Sequence, residues 1–132
     1  MRIALEEHFA LPDTIDDSER YFTPQNWPKM RHRLVDIHET RLAEMDRHGI
    51  DLMILSLNAP AVQAVWDTRR AIELALPAND YLPEQVAKNP KRFQAQAALP
   101  TQAPAATRSE RTRGGPVPAP PGARVNGCTH VR

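Results

Sequence analysis

The sequence has few of the features that mark secreted, membrane-spanning or nucleic-acid-binding proteins. Its single cysteine cannot form an internal disulfide, and no apolar run approaches the roughly 18–20 residues that a membrane helix needs. The 17 basic residues nearly balance the 16 acidic ones, so the net charge of +1 gives no field to attract nucleic acid or an anionic membrane. Glu6 and Glu7 argue against an N-terminal signal peptide. The sequence therefore indicates a soluble, cytoplasmic protein with neither nucleic acid nor membrane as its partner.

The composition changes towards the end of the chain. Six of the 13 prolines lie in the last 33 residues, and residues 107–132 carry five basic side chains against one acidic. Proline removes backbone donors and glycine costs chain entropy, so residues 101–123 are predicted to be disordered or poorly ordered. The predicted organisation is a folded portion over 1–106 and an Arg/Pro/Gly-rich tail over 107–132.

The first hundred residues alternate between strand and helix patterns. The predicted elements are strand 2–5, helix 31–48, strand 50–57, helix 67–88, a strand within 92–100 and a candidate fourth strand at 124–127. Gly49 is expected to end the first helix, and Pro77 and Pro83 are each expected either to destabilise the second by about 3 kcal/mol or to kink it. This βαβαβ order predicts a parallel sheet, as in a doubly wound α/β fold or the start of a (β/α)8 barrel.

The residues after the first predicted strand favour the barrel. A doubly wound nucleotide site needs a glycine-rich turn there, but this chain has no glycine before Gly49. It has Glu6, Glu7 and His8 instead, and barrel enzymes keep their chemistry at the carboxyl ends of strands. Residues two apart on a strand share a face, so Glu6 and His8 are predicted to point one way and Glu7 the other. A carboxylate beside an imidazole supplies two ligands for a divalent metal such as zinc or manganese, although a polar strand end in solvent has the same pattern.

Five separated motifs resemble one family, in order and spacing. They are ALEEHF at 4–9, RLAEMDRHGI at 41–50, LSLNAPAVQ at 55–63, AND at 78–80, and RF with AALP within 92–100. These motifs are similar to those of the amidohydrolase-related decarboxylases, a family that includes the γ-resorcylate and 2,3-dihydroxybenzoate decarboxylases. The resemblance covers residues 1 to about 106.

The resemblance implies the fold and the activity. The expected fold is α/β, the N-terminal part, of about four strands, of a metal-dependent (β/α)8 TIM barrel that this chain leaves incomplete. Family members remove CO2 from a hydroxybenzoate, a small aromatic carboxylate, without oxidation, using one divalent metal ion (Zn or Mn) and no organic cofactor. They are expected to be homo-oligomers.

The resemblance also implies roles for single residues. It assigns Glu6 and His8 as metal ligands, while the family's other ligands and its acid/base group belong to later strands, so no catalytic residue is assigned. Phe22 is a candidate aromatic wall for the substrate. Asn58 and Asn126 are candidate substrate contacts, and Asn58 fits a turn-forming role equally well.

The tail departs from the family pattern. Family-like sequence returns at 124–130, on the far side of the Arg/Pro/Gly-rich stretch, which suggests the hypothesis of a reading-frame disturbance between the two. The sequence therefore predicts a metal-dependent decarboxylase present as a truncated, inactive fragment. The alternatives are a metal-dependent hydrolase of the amidohydrolase type and a non-catalytic fragment or pseudo-enzyme.

Overall fold

The computed structural model describes residues 1–12, 14–59 and 61–113, apart from the side chains of Glu6, Asp17 and residues 110–113. The elements in chain order are β1 (Ile3–Phe9), a 3₁₀ helix (Ile15–Tyr21), α1 (Trp27–Val35), α2 (Thr40–His48), β2 (Leu52–Leu57), a 3₁₀ turn (Ala61–Ala64), α3 (Thr68–Lys88), β3 (Phe93–Ala95) and α4 (Pro104–Arg113). None of these helices is both long and apolar enough to cross a membrane.

The three strands form one parallel sheet in the order β1-β2-β3. This confirms the predicted parallel sheet built from alternating strands and helices. The first strand is longer than predicted, because it continues through Glu6, Glu7 and His8 and ends at Phe9. The candidate strand at 124–127 lies outside the described residues.

The two faces of the sheet differ in character. One face carries Phe9, Leu55 and Phe93, each at most 1% exposed, and packs against α2 and α3 through residues such as Met45 and Leu82. This burial is the main source of stability, at about 1.5–3 kcal/mol for each large apolar side chain. The opposite face carries no member of the main apolar cluster. Its residues in β1 include His8, which is exposed, and Ile3, which is 41% exposed.

The predicted single helix over 31–48 is wrong, because the chain breaks it into α1 and α2. The backbone turns extended at Asp36, and the Asp36 carboxylate accepts hydrogen bonds from the N–H groups of Glu39 (2.9 Å) and Thr40 (2.6 Å). The first N–H groups of any helix lack partners within that helix. One carboxylate that satisfies two of them stabilises a second helix start where the apolar spacing indicated a continuous helix.

Gly49 ends α2 as predicted. Its backbone is left-handed, with φ 63° and ψ 37°, and its N–H donates to the carbonyl of Asp46. The N–H of Ile50 then donates to the carbonyl of Met45 at 2.8 Å, which completes a Schellman end. A residue with a β-carbon would be strained at this φ, and the turn is what sends the chain from α2 into β2.

Helix α3 is continuous over 21 residues although it contains Pro77 and Pro83. Both prolines are exposed, while three of the five buried residues of α3 are alanines: Ala71, Ala75 and Ala78 are each at most 1% exposed. The side chain of Asp67 caps the start of the helix by accepting from the N–H of Arg70 at 2.7 Å.

The predicted disorder over 101–123 is wrong for Pro104–Arg113, which form α4. Proline at the first helical position loses no intrahelical bond there, and alanine and arginine that follow are strong helix formers. After Pro104 the next proline or glycine is Gly114, so averaging over the whole segment concealed a helix-compatible start. Residues 114–132 lie outside the described part of the chain, and the division at residue 106 stays a prediction.

His38 connects the break between the two helices to the rest of the fold. It lies between α1 and α2, half-buried, with Nε2 at 3.1 Å from Oε1 of Gln85 and Nδ1 at 3.0 Å from Nδ2 of Asn89. Its ring also meets Phe93 edge-on, with 5.9 Å between ring centroids. His38 therefore joins the break between the helices to the end of α3 and the start of β3.

We predict that Asp36→Ala lowers the free energy of unfolding by about 1 kcal/mol at neutral pH, the usual cost of losing a helix cap. Burial alone raises the pKa of the Asp36 carboxyl, but hydrogen bonds from Glu39, Thr40 and Arg41 outweigh burial and hold that pKa below the ordinary 3.8. A carboxyl with a lowered pKa stabilises the folded state above its unfolded pKa, and this contribution is lost as the pH falls through the folded pKa.

The difference between wild type and Asp36→Ala should accordingly disappear in acid. Urea unfolding at several pH values measures it. Glu39→Ala is the matched control, because Glu39 is exposed and its side chain makes no capping bond. A difference that persists unchanged well below pH 3.8 would contradict the role of the ionised carboxylate.

Candidate metal and substrate site

His8 lies near the carboxyl end of β1 on the sheet face that lacks the main core. It pairs with Ser56 of β2, and the two side chains are in contact, with 3.2 Å between His8 Nδ1 and Ser56 Oγ. The imidazole is exposed, and its Nε2 makes no hydrogen bond to any side chain that the structure describes. An exposed imidazole with one nitrogen engaged and the other unengaged can act as a metal ligand.

Glu7 lies on the other face of β1. It pairs with Leu55, which is fully buried against the helices, so Glu7 and His8 point to opposite sides as the alternation predicted. Glu7 is half-buried there, and its charge acts on the guanidinium of Arg41. The negative charge of Glu7 is thus balanced by the positive charge of Arg41 in α2.

The position of the Glu6 side chain lies outside what the structure describes, so its pairing with His8 stays a prediction. The backbone nevertheless adds something that the spacing could not show. The register shifts between Ala4 and Glu7, where β1 uses one residue more than β2 between Met53 and Leu55. Such a bulge re-aims side chains, often beside active sites. The two-residue alternation that paired Glu6 with His8 applies only to a regular strand, so the direction of Glu6 depends on the bulge.

Arg41 contacts the backbone of His8, and no sequence pattern predicted this contact. Its Nη2 donates to the carbonyl oxygens of His8 (2.7 Å) and Arg33 (2.9 Å), and its Nε donates to the carbonyl of Asp36 (3.2 Å). Burial lowers the pKa of its guanidinium, while the charges of Glu7 and Asp36 oppose that shift. One feature of the sequence could have indicated a buried role for Arg41. It lies one helical turn before Met45, on a stripe of residues that is otherwise apolar.

A cavity of about 710 Å³ opens beside β1, within the size range of small-ligand sites. Three of the predicted site residues, His8, Phe22 and Asn58, contribute to its walls, together with Glu7 and Arg41. The fold therefore brings together residues that lie up to 50 positions apart in the sequence. Asn126 lies outside the described residues.

Phe22 and Asn58 have clear packing roles within these walls. The Phe22 ring stacks on Trp27, with centroids 5.7 Å apart and planes 24° apart. Asn58 is 7% exposed, and its Nδ2 donates to Ser18 Oγ at 2.7 Å, while its N–H donates to the carbonyl of Phe9 at 2.9 Å. Asn58 thus ties the 3₁₀ helix to the ends of β1 and β2.

The described side chains supply one candidate metal ligand, His8, and not a complete metal site. Among the residues whose side chains are described, no three His, Cys, Asp or Glu lie close enough together to hold a metal ion. His8 has the exposure and the unengaged nitrogen that a ligand needs. Further ligands would have to come from Glu6 or from outside the described part.

Comparisons with known proteins agree on one enzyme type. The γ-resorcylate decarboxylase of Rhizobium sp. is 56% identical over 112 residues, which are 85% of this chain and 34% of that protein. The crystal structure of a 2,6-dihydroxybenzoate decarboxylase complexed with 2,6-dihydroxybenzoate matches 85% of this chain and 35% of its own, with a TM-score of 0.81 and 56% identity. A dihydroxybenzoic acid decarboxylase from Polaromonas sp. JS666, with bound manganese and the inhibitor 2-nitroresorcinol, matches equally well at 54% identity and a TM-score of 0.81. No protein-family model matches the chain.

These findings confirm the predicted fold class. The structural relatives are decarboxylases with the amidohydrolase TIM-barrel fold, and the parallel sheet with its helices corresponds to part of that barrel. The homologues are γ-resorcylate and dihydroxybenzoic acid decarboxylases, and one of them holds bound manganese. The chain spans about a third of the length of the relatives it matches.

We predict that Arg41→Met lowers the free energy of unfolding by about 2–4 kcal/mol, because hydrogen bonds from a charged donor contribute about 1.5–3 kcal/mol each. Arg41→Lys should recover only part of the loss, since an ammonium lacks the planar fork that reaches several carbonyls at once. Urea unfolding of each variant gives the measurement.

Arg47→Met on the same helix is the control for Arg41, because Arg47 is 67% exposed and pairs only at the surface. Its effect should stay within about 0.5 kcal/mol. A fully stable Arg41→Lys variant would show that the carbonyl contacts do not depend on the guanidinium.

Proposed function

We propose that this chain contributes the first metal-binding strand of a metal-dependent decarboxylase that removes CO2 from a hydroxybenzoate without oxidation. The observation that carries the proposal is the convergence of His8, Phe22 and Asn58 on one cavity beside β1. The close homologues at 54–56% identity act on or bind dihydroxybenzoates, and this supports 2,6-dihydroxybenzoate as the substrate. The manganese in one of them supports Mn²⁺ over Zn²⁺ as the metal.

The residues of this chain would bind and orient rather than transfer protons. His8 and Glu6 would hold the metal, which would supply a Lewis acid for the carboxylate and the adjacent phenolic oxygen of the substrate. Phe22, already fixed by its stacking on Trp27, would bound the cavity on the side of the aromatic ring. Decarboxylation further requires a proton at the ring carbon that bears the carboxylate, and we assign no donor for it within this chain.

The 132-residue chain alone is proposed to be inactive. Two ligands hold a divalent ion weakly, and the described residues supply no cluster of three. A metal-dependent hydrolase is the alternative activity, because barrels of this superfamily share the first-strand ligands. The high identity to decarboxylases disfavours it. A cytoplasmic location and a homo-oligomeric state stay predictions from the sequence.

A chimeric enzyme tests the proposal. The 112 matched residues of this chain would replace their counterparts in the Rhizobium sp. enzyme, which supplies the remaining two thirds of the barrel. We expect the chimera to release CO2 from 2,6-dihydroxybenzoate in the presence of Mn²⁺. His8→Ala and Glu6→Gln should each lower that rate by roughly 100-fold or more, since even residues that merely support a metal ligand cost 10–100-fold.

Glu7→Gln is the matched control, because it makes the same chemical change one residue from Glu6 on the opposite face from His8. Its rate should fall far less. A folded, metal-loaded chimera that releases no CO2 from any dihydroxybenzoate would overturn the proposed activity, and full activity in Glu6→Gln would overturn the ligand assignment.

A further inference from the structure

Ser56 is the one hydroxyl residue of β2, a strand that otherwise consists of Leu, Met and Ile. Leu55, which precedes it, is fully buried in the core, so Ser56 lies on the other face of the sheet. On that face Ser56 is paired with His8 of the neighbouring strand. Its Oγ lies 3.2 Å from His8 Nδ1, whereas Nε2 of the same ring bonds no side chain in the described part of the protein. The hydroxyl interrupts an apolar strand at the one register position that faces the predicted metal ligand.

The position of Ser56 is fixed by backbone bonds on both sides of it. The N–H of Gln96 donates to the carbonyl of Leu55 at 2.8 Å, and the N–H of Asn58 donates to the carbonyl of Phe9 at 2.9 Å. The His8 backbone is held as well, by Arg41 Nη2 at its carbonyl oxygen. The hydroxyl and the imidazole are therefore both attached to rigid backbone, and their contact follows from the register.

A neutral imidazole carries one proton, on either Nδ1 or Nε2. A hydroxyl can serve either tautomer, because it both donates and accepts. When the ring binds a metal through one nitrogen, the other nitrogen donates its proton to a neighbouring acceptor, which fixes the tautomer and the ring orientation. Ser56 Oγ is the acceptor in place for a proton on Nδ1.

We propose that Ser56 is a positioning residue that holds His8 with its proton on Nδ1 and presents Nε2 as the metal-binding nitrogen. The assignment of Nε2 as the metal-binding nitrogen rests on the proposed function. The tautomer does not, because it is a property of the hydrogen bond between His8 and Ser56 in the metal-free chain.

The tautomer can be measured directly in the 132-residue chain. Long-range proton–nitrogen NMR correlations of ¹⁵N-histidine-labelled protein, at a pH where the ring is neutral, show which His8 nitrogen carries the proton. His8→Gln assigns the signals. We expect the proton on Nδ1 in the wild type and in Ser56→Thr, which keeps the hydroxyl, and a clear drop in the Nδ1-protonated fraction in Ser56→Ala.

Three results would overturn the proposal: a wild-type His8 protonated at Nε2, a tautomer unchanged in Ser56→Ala, or zinc added to the wild-type chain shifting Nδ1 rather than Nε2. The wild-type measurement decides the matter even where a variant fails to fold. In the chimera, Ser56→Ala should weaken Mn²⁺ binding by about 10-fold or more, and Ser56→Thr should restore it.

The outcomes separate this inference from the proposed activity. If the wild-type chain shows the Nδ1 proton and the Ser56 dependence while the chimera releases no CO2, the activity fails and the positioning role stands. If the chimera is active but His8 carries its proton on Nε2, the positioning role fails and the activity stands.

Discussion

The parallel pairing of β1 with β2 from Glu7 to Phe9 sets the direction of the side chains at the end of β1. Within three residues it places Glu7 with the helices, His8 on the open face and Phe9 in the core at 1% exposure. A slip of one residue would turn Phe9 out of the core, at a cost of about 1.5–3 kcal/mol, and would move His8 to the buried side. The direction of the candidate metal ligand is therefore enforced by the packing of its neighbour.

Other contacts reinforce this pairing from the helical layer. Asp36 starts α2 where the chain would otherwise continue one helix, and this places Arg41 in the first turn of α2. Arg41 then bonds the carbonyl of His8 and balances the charge of Glu7. Asn58 follows β2 and donates hydrogen bonds to the carbonyl of Phe9, at the end of β1, and to the hydroxyl of Ser18. The break between the helices is thus tied to the geometry at the strand end.

Sequence patterns identified the features that repeat over several residues. Spacing or residue type alone predicted three elements that the structure contains. They are the strand before Asn58, the 21-residue α3 and the end of α2 at Gly49. The metal site predicted from Glu6-x-His8 in a family-like context stays a prediction, because the Glu6 side chain lies outside the described part of the chain. Three residues predicted for the candidate site, His8, Phe22 and Asn58, line one cavity.

The missed features depend on single tertiary contacts. The break between α1 and α2 needed the Asp36 carboxylate to accept from the N–H groups of four residues that follow it. The role of His38 needed α3 beside it, and that of Arg41 needed the carbonyl of His8. The bulge between Ala4 and Glu7 follows from how β1 fits β2, which no alternation within β1 alone reveals. Helix α4 was concealed by averaging its sequence with the prolines beyond it.

Diffraction from crystals of the chimera grown with Mn²⁺, measured at the manganese absorption edge, would show whether β1 directs Glu6 and His8 to one metal ion. We expect one anomalous peak at the carboxyl end of β1, about 2.1 Å from a Glu6 carboxylate oxygen and from His8 Nε2, with Glu7 turned to Arg41. A peak bound by Glu7, or a manganese ion that touches neither Glu6 nor His8, would contradict it.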